Sequence, residues 1–100
     1  MDLDRIFDAL ASNPRRAVLA ALSQAPQTTT DLAARFGVSA PAMSRHLSVL
    51  ENAGLVVSRR QGQRVLYSLV RDTLMDALSG FAEQLVSAPQ EMTQVKREAI

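Results

Sequence analysis

The 100-residue chain contains no cysteine and no tryptophan, and has one histidine and few aromatic residues. Without cysteine it can form no disulfide within itself, carry out no thiol redox chemistry and offer no thiolate to a metal. With His46 as the lone imidazole, a metal site would need ligands of other kinds. No apolar run approaches the roughly 20 residues of a membrane span. The N-terminal stretch MDLDRIFDAL is acidic and amphipathic, unlike a signal peptide. A soluble, cytoplasmic protein with no membrane partner is expected. There is no glycine-rich phosphate loop, no internal repeat and no low-complexity tract. The carboxylates are scattered at helix starts and surfaces, where capping accounts for them. Catalysis is therefore not expected.

What is present points to a compact helical protein. Hydrophobic residues make up 47% of the chain, mostly Leu, Ala and Val. A chain of this length reads as a single domain, residues 1–100, able to bury roughly two-thirds of its unfolded surface. The net charge of +1 conceals an uneven distribution. Residues 35–71 carry six arginines and a single acid, Glu51, while the segments on either side are both net acidic. The middle is thus suited to a polyanion, because counterion release at phosphates responds to the local basic field rather than the total.

Within that middle, TTTDLAARFGVSAPAMSRHLSVLENAGL reads as two helices joined by a three-residue turn. Thr30 is placed to cap the first helix, with Asp31 in its first turn, and Leu32, Ala33 and Phe36 give it an apolar face. Gly37 ends it, Val38 fills the turn, Ser39 caps the second helix, Pro41 sits in its first turn and Gly54 closes it. This is a helix-turn-helix pattern. Unwrapped at roughly 100° per residue, Met43, Leu47 and Leu50 face inward, while Pro41, Arg45, Ser48 and Asn52 face outward, flanked by Ala42 and Ser44. Such a face, with small residues around one arginine, can approach a DNA groove closely. On periodicity alone it could equally be an ordinary polar surface.

Before this unit, residues 3–11 form an amphipathic helix, and Asn13 with Pro14 starts a second one running to about Ser23. Residues 24–27 are expected to be a loop. After it, Leu55–Arg60 and Arg64–Val70 read as a β-hairpin turning at Gln61-Gly62-Gln63, with Arg59, Arg60 and Arg64 near its tip. Those arginines either await an anion or protect an edge strand. Asp72 is expected to cap a last helix to about Val86, followed by a tail, 87–100. Leu3, Ile6, Phe7 and Leu10 at one end, with Leu74, Leu78, Phe81 and Leu85 at the other, either close the monomer core or, as preferred here, form a surface for a second copy. The expected class is mainly α with a small antiparallel hairpin, in the order α-α-α-α-β-β-α.

The stretches LASNPRRAVLAAL, TTTDLAARFGVSAPAMSRHLSVLENAGLV and RRQGQRVLYSL carry a resemblance to the arsenic-repressor (ArsR/SmtB-type) winged helix-turn-helix transcription regulators over about residues 3–86. The resemblance implies a dimer built on the terminal helices that binds a palindromic double-stranded DNA operator. The recognition helix, residues 39–53, would enter the major groove and the wing, residues 59–64, would meet the backbone or minor groove. It assigns DNA contact to Ser39, Ala40, Ala42, Ser44, Arg45, His46, Ser48, Arg59, Arg60, Gln63, Arg64 and Arg16. Arg45 is the best candidate for a base edge, because arginine can pair bidentately with guanine. Ser39 and Ser44 are better suited to phosphates. His46 is a phosphate contact or a structural hydrogen-bonder, and of Arg15 and Arg16 one is internal and one meets phosphate. The family's sensing sites use cysteines in the third helix or His/Asp/Glu clusters in the last. Here the third helix has Ala33 and Ala34, and the last has Asp72, Asp76 and Glu83 without histidine. The resemblance is therefore to members that do not sense metals, and no metal site or cofactor is expected. A winged-helix module that binds a protein partner instead of DNA is the alternative.

Overall fold

The computed structural model describes residues 2–86. The elements run α1 (Leu3–Leu10), α2 (Asn13–Leu22), β1 (Gln27–Thr28), α3 (Thr29–Phe36), α4 (Ala40–Asn52), β2 (Val56–Gln61), β3 (Arg64–Leu69) and α5 (Arg71–Val86). The helices follow one another in the expected order. The sheet has one strand more than expected: it is antiparallel and three-stranded, in the order β1-β3-β2. Gln27 and Thr28 pair with Tyr67 and Leu66 of β3. Two residues are too few to show a period of their own, so Gln27, the last residue of the expected loop, joins a strand only because β3 lies beside it.

Capping chemistry sets the helix starts, and two of them fall earlier than the residue expected from sequence. Ser12 Oγ accepts from the Arg15 amide at 3.3 Å, so Ser12 and not Asn13 caps α2. Thr28 Oγ1 accepts from the Asp31 amide at 3.1 Å, so Thr28 and not Thr30 caps α3. In both cases the earlier hydroxyl, on extended backbone, reaches the first free N–H groups, and the later residue is already helical. Ser39 caps α4 as expected, accepting from the Ala42 amide at 3.2 Å. Asp72 lies inside the first turn of α5, where its charge suits the helix dipole without capping.

The core is built by the inward faces of the first four helices and the start of the wing. Ile6, Val18, Leu32, Met43, Leu47, Leu50 and Leu55 are all but completely buried there. The three residues expected to turn α4 inward do so. Ile6 corrects an expectation: at 0% exposure it belongs to the monomer core and is closed to any second copy. Leu3, Leu10 and Leu74 pack partly against the same core. Phe7 meets Phe81 edge-on within the chain, with ring centroids 5.3 Å apart at 74°. What remains open on α5 is Met75, Leu78, Phe81, Leu85 and Val86, with Ala77 as its one buried residue. The tail expected at 87–100 lies outside the described residues.

Arg15 and Arg16 bind α2 to the end of α1. Arg15 donates Nε to the Ala9 carbonyl at 2.8 Å and Nη2 to the Asp8 carbonyl at 3.0 Å. Arg16 donates Nη1 to the Leu10 carbonyl at 2.6 Å. Both guanidiniums thus meet carbonyls at a helix C-terminus, where positive charge is favoured, the Asp8 carbonyl taking Arg15 in addition to the Ala11 amide.

Candidate nucleic-acid interface

The turn between α3 and α4 depends on Gly37, whose φ of +65 is open to glycine at little steric cost. The Val38 amide then donates to the Ala33 carbonyl at 3.1 Å, which ends α3 and aims the chain at Ser39. Val38 itself does not fill the turn. It remains 39% exposed on a shallow groove of about 290 Å³ that it shares with Pro14, Phe36 and Met43.

From this turn α4 presents Ser39, Ala40, Pro41, Ser44, Arg45 and Ser48 to solvent, with Ala42 half-buried beside them. The face has no acidic residue, and Arg45 makes no hydrogen bond or ion pair with another described residue. His46 is half-buried and lines the groove with Pro14 and Phe36, so it faces α2 and lies off the outer face.

The hairpin closes with Gln61 opposite Arg64, leaving Gly62 and Gln63 as a two-residue loop. Gly62 has a φ of +62 and Gln63 has no positive φ, an arrangement that suits a type II′ turn. β2 is therefore shifted by one residue from the expected Leu55–Arg60, while β3 starts at Arg64 as expected and ends one residue early, at Leu69. Cross-strand pairing assigns the faces: Arg59 pairs with Leu66 and Gln61 with Arg64 on one side, while Arg60 pairs with Val65 and Ser58 with Tyr67 on the other. Arg59, Arg60, Gln63 and Arg64 are all exposed. Among the described residues the one ion pair is Arg5–Asp2 at 3.7 Å, so the wing arginines have no carboxylate of their own there.

One pair at the base of the wing was not expected. Glu51 Oε2 accepts from the Ser58 amide at 3.1 Å and from Ser58 Oγ at 2.7 Å. The signal available in the sequence was the lone acid in an arginine-rich segment. Burial, with Glu51 nearby, raises the Tyr67 phenol above its ordinary value of 10.0.

Arg16 stands apart from these elements. Its Nη1 is committed to the Leu10 carbonyl, and the side chain lines an open apolar groove of about 460 Å³ with Leu19, Leu69, Leu74 and Leu78, on the α5 side. The structure thus brings Ser39, Ala40, Ala42, Ser44, Arg45 and Ser48 together on α4 and the wing residues together on the hairpin, but joins neither Arg16 nor His46 to them. Among the described residues there is no grouping of three or more His, Asp or Glu that could hold a metal ion. No described helix is long and apolar enough to cross a membrane.

Residues 12–58 match the bacterial regulatory protein, arsR family. The transcriptional repressor SdpR of Bacillus subtilis is 32% identical over 77 residues, covering 77% of this chain and 86% of SdpR. The chain belongs to the ArsR family. An ArsR-like transcriptional regulator from Rhodococcus sp. RHA1 superposes with a TM-score of 0.80 at 28% identity, covering 97% of this chain and 92% of that one. The homodimeric winged helix-turn-helix DNA-binding domain (fragment 1–100) from Mycobacterium bovis superposes with a TM-score of 0.69 at 27% identity, covering 81% of this chain and 78% of that one. This ArsR-family chain accordingly has the winged helix-turn-helix fold: α3 and α4 are the helix-turn-helix, and β2 and β3 the wing.

Proposed function

We propose that this protein is a homodimeric, sequence-specific DNA-binding regulator that represses transcription at a palindromic operator in the cytoplasm. The observation that carries the reading is the acid-free outer face of α4 around Arg45, on the same chain as a wing whose arginines lack carboxylate partners among the described residues. Arg45 would read a base edge in the major groove, with Ser39, Ser44 and Ser48 on phosphates and Ala40 and Ala42 permitting close approach. Arg59, Arg60, Gln63 and Arg64 would meet the flanking backbone or minor groove. Arg16 has a weaker claim because its guanidinium already serves Leu10. The exposed apolar row of α5, with Phe7 of α1 beside it, would form the dimer surface. SdpR is a repressor and the Mycobacterium bovis domain is homodimeric, which supports both parts of the reading. No observation favours a module that binds only protein.

The test is genomic footprinting with purified protein, followed by titration of the recovered site. Two half-sites about 34–36 Å apart are expected, with affinity falling steeply as salt rises. Replacing Arg45 with alanine should cost about 1–3 kcal/mol and relax preference at one base pair per half-site. An equal loss on every sequence would remove Arg45 from base reading, and absence of any bound fragment at low salt would refute the proposal.

A further inference from the structure

Glu51 occupies a position that ordinary surface chemistry disfavours. It lies in the last turn of α4, where the helix dipole opposes a carboxylate. It is also the lone acid between Arg35 and Arg71, in a segment suited to phosphate. It is half-buried there, and one oxygen, Oε2, takes both polar hydrogens of Ser58, at 3.1 and 2.7 Å. Hydrogen bonds to an ionised acceptor are among the stronger ones open to side chains.

The position of Ser58 gives these bonds a mechanical meaning. β2 is an edge strand, with β3 on one side only. The Ser58 amide points away from β3 and donates to Glu51, so the carboxylate takes the place that another strand would fill. Between the two residues the chain turns through Ala53, Gly54 and Leu55, with Leu55 fully buried. Beyond Ser58, β1 reaches β3 only as far as Leu66, opposite Arg59, and from there to the tip the hairpin is held by its own ladder. Gln61 lies three residue steps along the strand from Ser58, so the tip lies roughly 10 Å from this anchor. A swing of about 20° at the root would move the tip by roughly 3–4 Å, more than a hydrogen bond to phosphate tolerates.

We propose that Glu51 is a positioning residue, fastening the wing to the recognition helix so that Arg45 and the wing arginines meet one duplex as a rigid pair. This rests on the DNA-binding reading above. The carboxylate touches no nucleic acid; it acts through Ser58.

The experiment uses the full chain, its recovered operator and an unrelated duplex, titrated across a range of salt. E51A and E51Q remove the same charge, but only E51A removes the acceptor. E51Q should bind at least as tightly as the parent with the same salt slope. E51A should bind about tenfold more weakly, with log K against log salt shallower by about 1 for each phosphate that the wing no longer reaches. R64A should weaken the parent and have little further effect in the E51A background. S58A, which removes one hydroxyl, should also give a shallower slope and carries the test if E51A does not fold. Tighter binding by E51A and E51Q alike would reduce Glu51 to a repulsive charge and overturn the inference. So would an unchanged slope, or an equal R64A penalty in both backgrounds. If the parent binds no duplex, the DNA reading itself has failed; if the parent binds and the E51A pattern is absent, this inference alone has failed.

Discussion

Replacing Ile6 with alanine separates two roles that a terminal apolar helix could have. Ile6 is fully buried, in the same cluster as Val18, Leu47 and Leu50. The substitution deletes three side-chain carbons from a site closed on all sides. Ile→Ala changes at such sites cost about 2–5 kcal/mol, the larger values arising where the cavity cannot collapse. Helices α1 and α2 are clamped together by Arg15 and Arg16, which limits collapse and favours the middle of that range. A loss of about 3 kcal/mol lowers the melting temperature of a domain this size by roughly 12–24 °C. It is also a large part of the about 5–15 kcal/mol that holds an ordinary domain folded. The assay is thermal unfolding by circular dichroism, paired with sedimentation equilibrium at a temperature where parent and variant are both folded. Ile6→Ala should melt far earlier and leave the self-association constant of the folded protein nearly unchanged. Leu85→Ala, at a residue 65% exposed on α5, should do the reverse. An Ile6→Ala protein that melts with the parent but dissociates more readily would show that Ile6 faces a partner, and the assignment of the core would be wrong.

Arg15→Ala should lower stability by about 1–2 kcal/mol, since it removes two hydrogen bonds that a partly exposed guanidinium makes to the end of α1. The salt slope of operator binding should not change; a shallower slope with unchanged melting would place Arg15 on phosphate instead. Tyr67 sets an alkaline limit. Its folded phenol titrates above 10.0, so the stability its neutral form contributes is fully present below about 10, where the unfolded chain begins to ionise, and is lost as pH rises from there through the folded value. Urea midpoints should therefore decline above pH 10 more steeply in the parent than in Tyr67→Phe, and identical declines would dismiss the environment described for Tyr67.

The recognition helix was the most legible part of the chain. Met43, Leu47 and Leu50 at helical spacing specify which side goes inward, and the outer face follows by elimination. Gly37, Ser39 and Gly62 mark turns and caps through chemistry confined to a few neighbours. The same reasoning misplaced the caps at Asn13 and Thr30, because Ser12 and Thr28 offer equivalent oxygens one and two residues earlier. Apolar stripes on α1 and α5 were visible, but a stripe does not say what it packs against: Ile6 goes to the core, Phe7 to Phe81, and Leu85 to solvent. The exposed arginines likewise look alike in sequence, yet Arg16 serves a helix end while Arg45 keeps its donors free of described partners.

Residue order was sufficient for the helices, the hairpin, the turn glycines and the basic middle, because each arises from residues within a turn or two of one another. Docking of those elements was needed to pair Gln27 with Tyr67, to send Arg15 and Arg16 back onto α1, and to bring Ser58 under Glu51. Hydrogen-bond partners of that kind depend on where separate elements come to rest, and a side chain's polarity carries no record of which carbonyl or carboxylate it will meet.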